Sequence, residues 1–508
     1  MKTDMIYEFG LLGSISVSGL VLAWIIFNVG HPHPSVDYHQ QFNADIAPIP
    51  ESQRAWNVYR GAWAEFGFCE GRHAQFEEIF LEDETNYRLI VPTDPGWIAG
   101  VKKIEESAQL LESFRQARHC PRLGLGLQSD INNYSQQDRA ALFPDLPADR
   151  VADVRLGLAG VEAEVEGLMA GALISTLMPH ISTFRQATHL LIVDSRWAIQ
   201  QGDTERIVQN IESVLAMAKH AADSKVFIAG LSGIVIAKMG FDLIDEMVSE
   251  NPDRFDDGQL ERIQHAVSQV SPKAMIQFSG ERLLVLDLIQ RVYTDNGLGD
   301  GRITKPGLEI IGISEMLVAS SMPEAFSPLL KTPLLGGPLA MFSIASRRAT
   351  VAKLNNWMAR VEQRFQKPMW ETPDLKELED EIQEQASRYP LLALTIPSVE
   401  PIYFVGEQAE MDRGATLLAL SAHRFRLRHR EWPKSADSLT PDFIDAIPLD
   451  RVDQKPLRYR LTAKGFLIYS IGNDRVDNSG VRAMVNRDGT IVRPPTAEVD
   501  PQLVLKMN

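Results

Sequence analysis

The chain has 508 residues, 44% hydrophobic and 23% charged, the balance of a folded globular protein too long for one ordinary core, so two to four domains are expected. A net charge of −16 disfavours a nucleic-acid role, because phosphates need lysine and arginine against them, and argues equally against broad adhesion to anionic lipid. Cys69 and Cys120 stand alone, which excludes a tight cysteine metal knuckle.

The first element is Gly10 to Val29, which carries no charged side chain. Twenty such residues rise about 30 Å as a helix, the hydrocarbon thickness of a bilayer. The exit FNVGHPHPSVD has no small-residue cleavage site, so an uncleaved single-pass anchor is expected rather than a signal peptide. Lys2 precedes the span, and no lysine or arginine follows it until Arg54. That asymmetry places the N-terminus in the cytoplasm of a bacterium, with residues 10–29 in lipid of the inner membrane and the body in the periplasm.

Residues 31–50 are rich in proline and polar groups and read as an extended linker. His31, His33 and His39 there suit a linker better than a metal site, since no acidic or cysteine partner accompanies them. From residue 51 to about 410 the pattern is that of a helical body, with a break near 300–345. Trp56, Tyr59, Trp63 and Phe66 recur at helical steps and put four rings on one core-facing side. A helical hairpin is expected over Ile181–Ala222, turning at Gly202, with Asp203 capping the second helix. A third helix follows with Phe227, Leu231, Ile234, Val235 and Phe241 buried, and Gly230, Gly233 and Gly240 permitting close approach. This stretch resembles the stacked pairs of tetratricopeptide-like solenoids over about 70 residues, but without a 34-residue repeat. An irregular bundle explains the same pattern.

Residues 307–345 are apolar and hold Pro333, Gly336, Gly337 and Pro338. Burial in the body is expected, with docking on the bilayer or a partner as the alternative. A later helix starts at Thr372 as cap, and its acidic run Glu377 to Glu384 reads as a solvated face. The basic stretch His423 to Arg430 reads likewise as a solvated helix end, with an acidic partner or lipid headgroups as the alternative.

Residues 411–508 change style. A helix ends at Arg430, and strand-like stretches Leu457–Leu461 and Gly465–Ile471 suit a small antiparallel sheet. The succession RFRLRHREWPKSADSL, PLDRVDQKPLRYR and GFLIYSIGNDRVDNSG resembles the C-terminal domain of type II secretion pseudopilins. The whole chain also looks like a family of large membrane-anchored proteins of planctomycetes and related bacteria. The pseudopilin resemblance implies a small α+β module and an acidic loop that holds calcium, here at Asp474, Asp477 and Asn478. A plain polar turn accounts for the same composition. The leader and cleavage motif of that family are missing, and nearly 400 residues separate the expected anchor from the sheet.

No H-E-x-x-H, G-x-S-x-G, P-loop or dinucleotide glycine pattern occurs. Cys69 and His73 are spaced so that thiol and imidazole approach on a helix, but no third element accompanies them. His119 and Cys120, adjacent in sequence, point apart. In an extracytoplasmic body Cys69 and Cys120 can pair as a disulfide, worth about 4 kcal/mol in the chain-entropy model; two separate buried thiols are the other reading. The expectation is therefore a mainly α protein: anchor, irregular helical body and small α+β module. Its expected role is an envelope scaffold that binds protein partners, without cofactor except that calcium. A secretion- or pilus-associated component docking pseudopilin-like partners, and an envelope hydrolase with a site assembled from distant residues, are the alternatives.

Overall fold

The computed structural model describes residues 31–68, 73–83, 86–144, 169–310, 343–462 and 465–492, less 170, 177, 296, 299, 372–374, 473, 474, 476, 478, 481–483 and 486–490. The expected anchor at Gly10–Val29, the Thr372 cap and the Pro333–Pro338 cluster lie outside these residues. The protein is mainly helical, with small antiparallel strand pairs. The longer helices are α1 (Ala55–Phe66), α2 (Trp97–Glu106), α3 (Ala108–Ala117), α4 (Pro179–Gln201), α5 (Thr204–Ala222), α6 (Phe227–Ile244), α7 (Asp257–Ser268), α8 (Ser279–Val292), α9 (Arg347–Phe365), α10 (Lys376–Glu384) and α11 (Val399–His429). Strand β1 (Phe80–Asp83) pairs with β2 (Asn86–Leu89), and β3 (Arg458–Thr462) with β4 (Gly465–Tyr469).

The α4–α5 hairpin forms where its turn chemistry places it. Gly202 takes φ +73°, open to glycine at no steric cost, and the Asp203 carboxylate accepts from the Arg206 amide at 3.0 Å. Trp56, Tyr59 and Trp63 of α1 are buried, and Trp63 stacks on Tyr59 at 5.7 Å and meets Phe184 of α4 edge-on at 5.3 Å. On α6 the buried side carries Phe227, Ile234 and Phe241 as expected, but Val235 is 46% exposed and Leu231 half-buried. The glycines turn the helix instead. A Cβ on Gly233 would stand 2.6 Å from the Ala218 carbonyl of α5, and one on Gly230 2.5 Å from the Met275 carbonyl, so α6 presents its smallest residues to its neighbours. Among the described residues, Phe227–Ser249, which includes α6, is the helix long and apolar enough to cross a membrane; 61% of its most apolar 18-residue window is buried, as befits a core helix.

Three local expectations are corrected by packing. Residues 31–50 are no extended tether. The Gln290 side chain of α8 accepts from the Ser35 and Val36 amides at 3.1 Å and donates to the Val36 carbonyl, a short helix Tyr38–Phe42 follows, and Phe42 and Ile49 are buried. The acidic run of α10 does not simply face solvent. Glu381 joins Lys353 and Arg360 of α9, while Glu379 accepts the first amides of α11, Val399 and Glu400, at 2.7 Å. The basic end of α11 is largely paired within the chain: Arg424 meets Asp257 and Glu261, Arg428 meets Asp257, and Arg426 meets Asp253.

One core runs through the body. A second, smaller one joins Leu418 and Ala422 of α11 to Leu439, Phe443, Leu457, Phe466 and Ile468 of the C-terminal module. The boundary expected at residue 410 falls inside α11, which serves both cores with one continuous helix. Within the module, buried Asp450 accepts from Arg458 at 2.7 Å, the Ser470 hydroxyl at 2.9 Å and the Ile471 amide at 3.0 Å, holding the β3–β4 hairpin to the loop before it.

Candidate functional site

Among the described residues, those singled out from sequence do not converge. His31 and His33 are exposed and His39 half-buried, and no three His, Cys, Asp or Glu side chains among the described residues are arranged to hold a metal ion. Of the proposed calcium set, Asp474 and Asn478 lie outside the described residues, and Asp477 is exposed and accepts from the Ser479 amide at 2.8 Å, the bond of an ordinary polar turn. Cys69 and the side chain of His73 also lie outside them. Cys120 is a half-buried free thiol 4.0 Å from the Ser52 carbonyl, its pKa raised by burial, and His119 is exposed.

The structure instead opens a cleft of about 900 Å³ where the body meets the module. Its walls come from the turn between α7 and α8 (Ser271 to Ser279), the end of α9 (Ala359 to Gln366), Glu410 of α11 and Arg451 of the module. At its base lies a buried charge cluster. Glu407 has no exposure, and its carboxylate accepts two bonds from Arg451 at 2.8 Å and one from Lys273. The Lys273 ammonium also donates to the Lys367 carbonyl at 2.9 Å and lies over the rings of Tyr403 and Phe365, at 4.7 and 5.5 Å. Burial lowers its pKa from the usual range, with Glu407 pulling the other way. Burial opposes the charge on Arg451 as well, and its bonds to Glu407 outweigh this and raise its pKa. Arg451 further covers Trp370 at 5.3 Å, and its carbonyl accepts from the Trp370 amide. Glu410 is spent on structure too: it accepts from the Ser271 hydroxyl and the Lys273 amide, capping the short helix Pro272–Met275.

With these charges committed, the groups left to a visitor are mostly neutral. The side-chain amides of Gln277, Gln363 and Gln366 line the cleft with no intramolecular hydrogen bond among the described residues, beside the Ser279 hydroxyl and the Glu362 carboxylate. Each amide offers both donor and acceptor, the pattern that a polypeptide backbone complements. Sequence reasoning missed the cluster because Lys273 and Glu407 are 134 residues apart. One signal was present: Tyr403, Glu407 and Met411 recur at four-residue steps and are all buried, so a carboxylate stands in an apolar stripe where only a charged partner makes it tenable.

No family model, curated protein or solved structure matches the chain.

Proposed function

We propose that this chain is a membrane-anchored envelope scaffold that receives an extended polypeptide segment of a protein partner in the cleft between body and module. The observation that carries the reading is the lining: an open cleft of about 900 Å³ whose uncommitted groups are side-chain amides and a hydroxyl, over a floor fixed by the Glu407–Lys273–Arg451 cluster. Rigid walls lower the entropy cost of capture, and unpaired amides supply backbone recognition without choosing a strong charge. The apolar Gly10–Val29 stretch supports the anchor.

Cross-linking in native membranes followed by mass spectrometry, on the intact chain and on Gln363→Arg/Gln366→Arg, tests this. Both positions are exposed, so the variant should fold as the parent does and lose the cross-links that map to the cleft. Partner cross-links that persist unchanged in the variant would overturn the cleft assignment.

A second reading has its own support. Among the described residues strand β3 pairs with β4 alone, and Leu461 on it is 43% exposed, leaving an edge on which a pseudopilin-like partner can add a strand. Cross-links concentrated on residues 458–462 would favour it.

A further inference from the structure

We infer that the groove between the starts of α4, α6 and α8 is a second binding site, one that takes a small ligand with an apolar body and a protonated amine held by Glu281. The site stands apart from the cleft, and it holds whether or not the chain is anchored in lipid.

The groove is built by close approach. Gly280 donates its amide to the Lys225 carbonyl at 3.1 Å, and a Cβ there would stand 2.3 Å from that oxygen, so only glycine lets α8 begin against the turn before α6. Glu281 is thereby brought to the first amide of α6, and its Oε1 accepts from Phe227 at 2.8 Å. Further along α8, Asp287 accepts the Leu173 amide at 2.7 Å and fixes the short helix Leu173–Ser175 against it. Between these walls lies an open groove of about 390 Å³, within the range of about 300–1,000 Å³ that small-molecule pockets occupy. Its lining is mostly apolar, with Ile174, Met178, Ile181, Ile228 and Leu284. Ile174 and Ile228 remain 43% and 59% exposed there.

Among the described residues that line the groove, Glu281 is the one ionisable side chain, and it has no counter-ion. The basic residues nearest in sequence are engaged elsewhere: Lys225 pairs with Asp45 at 2.6 Å, and Arg282 donates to Asn355 at 2.9 Å. Glu281 is half-buried, and its Oε2 makes no hydrogen bond among the described residues. Burial raises its pKa, with the Phe227 amide opposing. The Ser182 hydroxyl is committed to the Pro179 carbonyl at 3.0 Å, whereas the Thr176 hydroxyl makes no hydrogen bond among the described residues.

These groups select the ligand. A carboxylate among apolar side chains is costly without a cation, and an ammonium relieves that cost through a charge-assisted bond. The ligand's apolar body would then cover the exposed isoleucines. A carboxylate ligand meets like charge at the same point and is rejected. A wholly apolar ligand buries Glu281 further and leaves it unpaired.

The test photolabels the full chain in phosphatidylcholine nanodiscs with trifluoromethyl-diazirinyl benzylamine and, in parallel, with the matching benzoate, and maps adducts by mass spectrometry. The amine should label Ile174, Ile181, Ile228 or Leu284 about tenfold more than the benzoate does, and excess phenethylamine should remove that label. Glu281→Gln keeps an acceptor for the Phe227 amide and loses the charge, so it should lower amine labelling roughly tenfold. Equal labelling of the groove by the two probes, adducts spread over the surface, or amine labelling unchanged in Glu281→Gln overturns the inference. Should that variant fail to fold, as circular dichroism reports, the amine-to-benzoate ratio on the wild-type chain decides alone.

Discussion

Glu407 of α11 accepts both Arg451 bonds at 2.8 Å from a position with no solvent exposure, so a single carboxylate joins the long helix of the body to the loop of the C-terminal module. Lys273 meets the same carboxylate from the opposite wall, so two cations share it. Removing the carboxylate leaves two cations with less exposure than they can tolerate unpaired. Glu407→Gln should cost about 3 kcal/mol of unfolding free energy, read by urea denaturation. It should also speed hydrogen exchange at Trp370, whose amide bonds the Arg451 carbonyl. A loss under about 1 kcal/mol would mean that packing, and not this charge cluster, holds the module in place.

Asp412, 4% exposed, faces Lys238 of α6 at 3.6 Å, and its Oδ2 makes no hydrogen bond. Burial raises its pKa from 3.8 to about 6, with Lys238 opposing. The folded state therefore holds this proton more tightly than the unfolded chain. The stability it contributes is full below about pH 4 and is lost as pH rises through about 6. Relative to wild type, Asp412→Asn should gain on the order of 2 kcal/mol between pH 4 and pH 7 in denaturation measurements. A difference that does not change with pH would show that the carboxylate is as well solvated folded as unfolded.

His220 runs the opposite way. Its Nε2 lies 2.8 Å from the Cys120 carbonyl, which only accepts, so Nε2 carries the proton and Nδ1 accepts from the Tyr59 hydroxyl at 2.9 Å. Burial lowers its pKa from 6.5 to about 4, and those of buried His180 and His423 to about 3. Below pH 6.5 the unfolded chain takes up protons that the folded one refuses, so stability falls as pH drops toward 4. His220→Gln should flatten that fall by on the order of 2 kcal/mol, seen as a smaller drop in Tm from pH 7 to pH 4.5. An unchanged slope would assign the acid sensitivity to other groups.

Gly233 offers a test of helix packing against helix propensity. Alanine there is favoured by about 1 kcal/mol in an isolated helix, but its Cβ would meet the Ala218 carbonyl at 2.6 Å and the Ala222 Cβ at 3.0 Å. Gly233→Ala should be destabilising by about 2 kcal/mol net in thermal unfolding. A stabilised variant would show that α5 and α6 can separate without cost.

What could be read from the chain was local. The Gly202–Asp203 turn, the α1 aromatic face, the close-packing glycines of α6 and the β3–β4 hairpin each announce themselves within a few residues, because turn geometry and periodicity act at short range. Charges were misread for the converse reason. Glu379, Glu381 and the arginines from 424 to 428 look like solvated groups until their partners, up to 173 residues away, are brought beside them. The cleft shares that fate: Gln277, in the turn before α8, and Gln363 of α9 have no relationship until those segments pack. Residues 31–50 were read by composition as an extended linker, yet one glutamine, Gln290, was enough to seat their start on α8.

The proposed place of the body outside the cytoplasm adds a demand that the finished fold conceals. In a chain threaded through a translocation channel, the helix Phe227–Ser249 emerges before α11 can cover it, with a mean hydropathy of 1.8 over its most apolar 18 residues. Such a channel sorts segments by composition, not by eventual neighbours. On that proposal Lys238, Asp242, Asp245 and Glu246, with the three glycines, are what would dissuade it from releasing this stretch sideways into lipid. Replacing them by leucine would strand the protein as a double-crossing polypeptide, with its second half on the wrong side.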